Sequence, residues 1–212
     1  IKRILEITFT HFKVAENLEI TLEANPDDLD TKKVLEFKNS PVNRFSVGIQ
    51  SFYDEDLIWM NRAHNAKEAD GVIKRLQDAG FENLSLDLIY GFPLLTDEKW
   101  NKNIKKTIEL EVPHTSAYSM TVESKTALAS FINKGTQKPM DEQQSARHFQ
   151  ILCDKLAQNK YEKYEISNFS FPNRHSKHNS NYWRGVPYLG IGPSAHSFNG
   201  NQRQWNVSNN AL

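Results

Sequence analysis

Asn43-Arg44-Phe45-Ser46-Val47-Gly48-Ile49-Gln50-Ser51 is the stretch on which the fold turns. Phe45, Val47 and Ile49 alternate with Ser46 and Gly48, the two-residue period of a strand. The apolar half of that alternation needs a core to face. The apolar run ends at Gln50, and Gly48 admits close approach by another backbone or a ligand. Two readings of Gln50 stand at this point. It hydrogen-bonds something seated at the strand end, or it ties down the next loop.

Outward from this strand, the pattern repeats. Upstream, Leu18 to Glu23 alternates as a strand and stops at Ala24-Asn25-Pro26. Asp27 and Asp28 then suit a helix start, and that helix runs to about Phe37. Before the first strand, Ile4, Leu5, Thr8, Phe9 and Phe12 fall at helical spacing. Downstream, a short helix is read over Asp54 to Met60. A longer one over Ala66 to Ala79 stops at Gly80. A third strand covers Asn83 to Ile89, Thr96 caps a helix ending near Leu110, and a fourth strand opens at His114. The order is strand-helix-strand-helix-strand-helix-strand. Steps of 27, 37 and 31 residues separate Glu23, Gln50, Asp87 and Tyr118. Those lengths fit right-handed crossovers, so the fold class is α/β with parallel strands and helices packed on the sheet.

After residue 122 the pattern weakens. Helices are read from Ser124 to about Asn133 and from Asp141 to Asn159, then a strand from Tyr161 to Ile166. Residues 167–187 show little periodicity, and a last short strand is read over Gln202 to Val207. The expected organisation is a parallel β/α core over 1–122 and a less regular α+β extension over 123–212.

Acidic and basic side chains number 26 each among 212 residues, which gives no ground for a nucleic-acid or membrane-surface partner. The single Cys153 excludes an internal disulfide and suits a reducing, cytoplasmic setting. No apolar run approaches the ~20 residues that span a bilayer. The chain starts at Ile1, inside an apparent helix, so it reads as a piece of a longer protein.

In parallel α/β folds, ligands sit at the carboxyl ends of the strands. Glu23, Gln50 and Asp87 place a polar group at or near that end of three successive strands. A carboxylate beside an amide suits a ribose diol or a zwitterion, which need acceptors and donors fixed in space. Arg62 follows the next helix and can fold back over the same rim to pair with a carboxylate. A second cluster is His175-Ser176-Lys177-His178-Asn179-Ser180-Asn181-Tyr182-Trp183. Cysteine is absent there, which disfavours zinc. A histidine beside Tyr-Trp either ligates a haem iron or belongs to a surface loop with packed rings. His196, after Gly192-Pro193-Ser194-Ala195, is read as facing a cavity. The sequence holds no phosphate-binding loop, nucleophile elbow or dinucleotide fingerprint.

Several stretches occur together and in order: Glu23-Ala24-Asn25-Pro26, Asn43 to Phe52, Asn61-Arg62-Ala63-His64, Asp87 to Pro93, Tyr164 to Phe169 and His178 to Trp183. With them the chain resembles the oxygen-independent coproporphyrinogen III oxidase-like family of radical S-adenosylmethionine proteins, from about Leu18 to Asn206. The resemblance implies a partial (β/α)6 barrel. It also implies that Glu23 binds the ribose hydroxyls of S-adenosylmethionine, with Gln50, Arg62 and Asp87 around that cofactor. The His178-Asn179-x-x-Tyr182-Trp183 pattern looks like the haem-binding signature of the haem-chaperone branch, which implies haem and a haem-acceptor protein as partners. A genuine oxidase that decarboxylates propionates is the alternative.

The departures are specific. The family's three-cysteine motif for a four-iron four-sulfur cluster and its Gly-Gly-x-Thr-Pro segment are absent from this sequence. Leu95 stands where a Gln is usual. The expectation is a central section that lacks the cluster and is inactive alone, with a sheet edge that favours dimerisation.

Overall fold

The computed structural model describes residues 1–209. It forms two compact units, residues 1–174 and the remainder from His175.

The first unit is built on one six-stranded sheet. Its strands are β1 (Thr21–Ala24), β2 (Arg44–Gln50), β3 (Leu84–Tyr90), β4 (His114–Ser119), β5 (Glu162–Lys163) and β6 (Asn168–Ser170). The spatial order is β1-β2-β3-β4-β6-β5. The pairs β1–β2, β2–β3 and β3–β4 are parallel, as the crossover lengths predict. β6 lies antiparallel to β4, and β5 antiparallel to β6. This is an α/β fold with a mostly parallel sheet, a partial barrel.

The sheet has two unlike faces because the side chains alternate. Phe45, Val47 and Ile49 point to the helices with Leu84, Leu86 and Leu88, and all six are essentially inaccessible to solvent. Each such side chain contributes about 2 kcal/mol of burial free energy. The helices of this unit are α1 (Lys2–His11), α2 (Thr31–Lys38), α3 (Asp54–Trp59), α4 (Ala66–Asp78), α5 (Asp97–Glu109), α6 (Ala127–Asn133) and α7 (Glu142–Gln158). α4 buries Ala69, Val72, Ile73 and Leu76, the stripe its spacing predicts. Their starts are written in the sequence. Asn65 and Glu68 form a reciprocal capping box, Thr96 caps α5, and Asp141 caps α7. α1 differs from the reading of its apolar spacing, since it buries none of its residues.

Two stretches depart from the sequence reading. The strand read over Tyr161–Ile166 shrinks to the two residues of β5. The stretch read as irregular contains β6 and a helix, α8 (Lys177–Trp183). β6 is a strand because β4 supplies its partners, a long-range cause that local periodicity does not carry. α8 starts because Ser176 Oγ accepts from Asn179 N at 3.3 Å.

The second unit holds α8 and a hairpin of β7 (His196–Phe198) and β8 (Arg203–Trp205).

Candidate functional site

The face of the sheet turned away from the core helices is polar. Alternation puts Thr21 and Glu23 of β1, Arg44, Ser46 and Gly48 of β2, Ser85 and Asp87 of β3, and His114, Ser116 and Tyr118 of β4 on it. Register lines them up across strands: Glu23 pairs with Ser46, Ser46 with Ser85, Asp87 with Ser116, and Ser116 with Asn168. Asp87 is mid-strand, a step below the rim expected for it. Ser46 Oγ lies 3.2 and 3.4 Å from its two carboxylate oxygens. Burial pushes the Asp87 carboxyl up to about 6, against the hydrogen bonds from Ser116 and Ser46, with Glu23 adding to the rise and Arg44 opposing it. Burial also raises the Tyr118 hydroxyl, with Asp87, Glu165 and Glu23 adding negative charge around it. Glu165 accepts from Ser167 N at 2.9 Å and from the Asn168 amide.

Lower on the same face, His114 Nδ1 meets Ser85 Oγ at 2.7 Å and its Nε2 meets Tyr164 Oη at 2.7 Å. Arg44 is 4% exposed and donates to Thr21 Oγ1 at 3.4 Å. Its buried Nε and the buried Asn168 Oδ1 have no hydrogen-bond partner among the described residues.

At the rim, two of the expected residues, Gln50 and Arg62, meet around Gly48, and Asn25 joins them. A Cβ on Gly48 would lie 2.7 Å from Gln50 Nε2, 3.3 Å from Arg62 Nη2 and 3.5 Å from Asn25 Oδ1. Glycine is therefore what lets the Gln50 and Arg62 heads share this spot. Arg62 folds back over the rim as expected, but its Nη2 donates to the Asn25 side-chain oxygen and, at 3.5 Å, to the Gly48 carbonyl rather than to a carboxylate. Asn61, at φ +54°, supplies the turn that sends it there. Gln50 itself takes φ +63°, and the β2–β3 register slips between Val47 and Gln50.

That turn is anchored from below by a buried polar network. Ser51 Oγ donates to Asp56 Oδ2 at 2.7 Å and accepts from Asn103 Nδ2 at 3.2 Å. Asn103 Oδ1 accepts from Phe52 N at 3.1 Å. Asp56 is inaccessible and pairs with Lys99 Nζ, which also reaches Glu55 at 2.8 Å. Burial would lower the Lys99 ammonium, but hydrogen bonds to Asp56 and Glu55 outweigh it and the net shift is upward. His64, also buried, contacts the Ile49 carbonyl through Nε2 at 3.1 Å, and burial holds it neutral.

In the second unit, α8 places His178 and Tyr182 four residues apart on one helical face, and Asn179 and Trp183 likewise. Tyr182 and Trp183 are 45% and 56% exposed. Arg203 Nη2 donates to Tyr182 Oη at 2.7 Å and its Nε to Tyr188 Oη at 3.1 Å.

The donor sets decide which implied groups fit these residues. A nucleoside with an amino-acid tail fits the rim. Glu23 is exposed at the end of β1, and the Gln50 amide and Arg62 guanidinium converge where a Cβ is excluded. An iron–sulfur cluster does not fit this chain's own residues. Cys153 is the single thiol, half-buried on α7, and burial raises it above its ordinary range. No group of three His, Cys, Asp or Glu side chains converges as a metal site among the described residues. Among the same residues, no helix is long and apolar enough to cross a membrane.

Sequence reasoning overlooked Ser46, Ser116, Asn25 and Tyr118. The signal was present for all but Asn25: alternation along β2 puts Ser46 on the face of Gly48, and along β4 it puts Ser116 and Tyr118 on one face.

Comparison with known proteins bears on the family and the fold. The Radical SAM superfamily description matches residues 1–106. The chain is 36% identical over 208 residues to the heme chaperone HemW of Bacillus subtilis (strain 168), covering 98% of this chain and 55% of that protein. It is 37% identical over 180 residues to the heme chaperone HemW of Lactococcus lactis subsp. lactis (strain IL1403), covering 85% and 48%. The chain thus spans about half the length of these relatives. Among solved structures it is similar to the Escherichia coli coproporphyrinogen III oxidase HemN, titled a radical SAM enzyme, with a TM-score of 0.78 at 22% identity over 98% of this chain and 50% of that one. That likeness is one of fold. With the superfamily matched over half its length and the partial barrel in place, the chain belongs to the radical SAM superfamily.

Proposed function

We propose that this chain is the cofactor-binding barrel section and haem-binding unit of a haem-chaperone-type protein of porphyrin metabolism. The observation that supports it most is the helix α8. His178 and Tyr182 share one face there, with Tyr182 and Trp183 open to solvent, in a chain alike over 98% of its length to a protein named a heme chaperone. A histidine as iron ligand beside exposed rings is a fitting haem site. Asn179 lies on the Trp183 face and would orient the same ligand.

At the rim, Glu23 takes the ribose hydroxyls of S-adenosylmethionine, and Gln50, Arg62 and Asp87 surround it. Bound there, S-adenosylmethionine would supply radical chemistry to the parent protein on one-electron reduction by a cluster. The role of this chain's residues is to bind and orient the nucleoside, and cluster ligands belong to other parts of the parent protein. The remaining expectations are a haem-acceptor protein as partner, a cytoplasmic location, and pairing of copies through β1, one edge of the sheet. The fold-level likeness to HemN at 22% identity lends no support to propionate decarboxylation by this chain.

Titration of haem into the protein and its His178→Ala variant, followed by the Soret band, tests the reading. The wild type gives a saturating Soret shift, and the variant binds at least about tenfold more weakly, the equivalent of 1.4 kcal/mol. Equal binding by both removes His178 from the site.

A further inference from the structure

The 38 residues from His175 to Leu212 contain Lys177, Arg184 and Arg203 but not one Asp or Glu. The whole chain carries 26 acids in 212 residues, so this unit is set apart by sign. A cationic, carboxylate-free surface selects an anionic ligand.

The hairpin shows where that ligand would lie. His196 pairs with Trp205 and Phe198 with Arg203, while Ser197 pairs with Gln204. Alternation puts the first four side chains on one face. Ser197, on the other, is buried and accepts from Gly190 N at 2.9 Å. The His196 and Trp205 rings lie 6.0 Å apart with 37° between their planes, and Trp205 is 69% exposed. The Arg203 guanidinium sits 5.6 Å from the Tyr182 ring centre, and Tyr182 is one turn of α8 beyond His178. A row therefore runs from His178 through Tyr182 and Arg203 to the His196–Trp205 pair, within one unit.

We propose that Arg203 is the carboxylate-binding cation of the haem site, pairing with a haem propionate while the macrocycle lies on the Tyr182–Trp205 row. This rests on the haem-binding reading above. A haem is flat and apolar with two carboxylates on one edge, so it needs aromatic faces and a cation beside them. Two tyrosine hydroxyls fix the guanidinium through Nε and Nη2, and Nη1 takes part in neither bond. A cation held in place beforehand loses less freedom on pairing than a free one. The same charge logic could serve an acidic protein partner, but such a partner would bind independently of His178.

The experiment compares haem with haem dimethyl ester, whose propionates are capped, by Soret titration of the wild type, Arg203→Gln, Arg203→Lys and His178→Ala. The wild type should prefer haem over the ester by about three- to tenfold. The preference should vanish in Arg203→Gln, persist in Arg203→Lys, and shrink for the wild type at high salt. His178→Ala should weaken both ligands. A wild type that does not distinguish the two ligands, or an Arg203→Gln variant that keeps the preference, overturns the assignment. In either of those cases, loss of binding in His178→Ala leaves the haem reading standing. Failure of the wild type to bind either ligand overturns both. The wild-type preference and its salt dependence need no variant to fold.

Discussion

Gln50 holds a left-handed backbone conformation, φ +63°, that costs a non-glycine residue about 1–2 kcal/mol. It persists because Ser51 is tied to Asp56 and Asn103, and it turns the amide toward Gly48 and Arg62. Asp87 carries a cost of another kind. Its carboxyl is raised from 3.8 to about 6, chiefly by burial. A folded acid with a raised pKa binds its proton more tightly than the unfolded chain does. Its contribution to stability is therefore present below about pH 4, lost as pH rises to about 6, and flat above. About two units amount to roughly 2–3 kcal/mol. Asp87→Asn should thus be more stable than the wild type at pH 8 by up to that amount. The gap between the two proteins should close as pH falls from 6 to 4. Urea denaturation across this range checks it, and a gap independent of pH would refute it.

At the scale of elements, the network that anchors the connection after β2 includes one buried ion pair between helices α3 and α5. Asp56 is inaccessible and Lys99 nearly so, with 15% of its side chain exposed. Removing one partner of a buried pair strands the other charge. Lys99→Met should cost about 3 kcal/mol in urea denaturation. Adding Asp56→Asn should restore part of that, because the stranded carboxylate is gone. A loss under about 1 kcal/mol for the single variant would show that the pair does not anchor the turn. After β3 a similar anchor is at work. Gly91 N donates to His148 Nδ1 at 3.3 Å, and His148 Nε2 faces Asp97 at 3.1 Å. Burial holds this histidine below its ordinary range.

The parallel elements were legible because each carries its own cause. Alternation marks β2, β3 and β4, and side-chain caps mark the starts of α4, α5 and α7. Glu23, Gln50 and Asp87 were legible as polar groups at or near strand ends, and Arg62 as a cation that follows the next helix. Asn25, as the partner of Arg62, was not, since 37 residues separate them. β6 is three residues long, and its identity depends on β4, more than fifty residues earlier. α8 was hidden because Lys-His-Asn-Ser-Asn-Tyr-Trp has weak helical propensity and no apolar period.

At the scale of the whole molecule, the candidate sites fall in separate units, residues 1–174 and from His175 on. Substitutions that share no partner act additively within about 0.5 kcal/mol. Glu23→Gln should therefore weaken S-adenosylmethionine binding, measured by calorimetry, and leave the haem Soret titration unchanged. His178→Ala should do the reverse. A shift of more than about threefold in the unmutated site would mean that the two are coupled.

The antiparallel β6 also bears on the order in which the rim is completed during synthesis. Strands β1 to β4 can pair as they leave the ribosome, each with a neighbour already made. Asn168 reaches Ser116, beside Asp87, only once the chain has been made to residue 170, and Glu165 arrives with it. The polar face thus stays unfinished until residue 170 has emerged. A nascent barrel arrested before that point would hold its core helices and strands but not a finished nucleoside cradle.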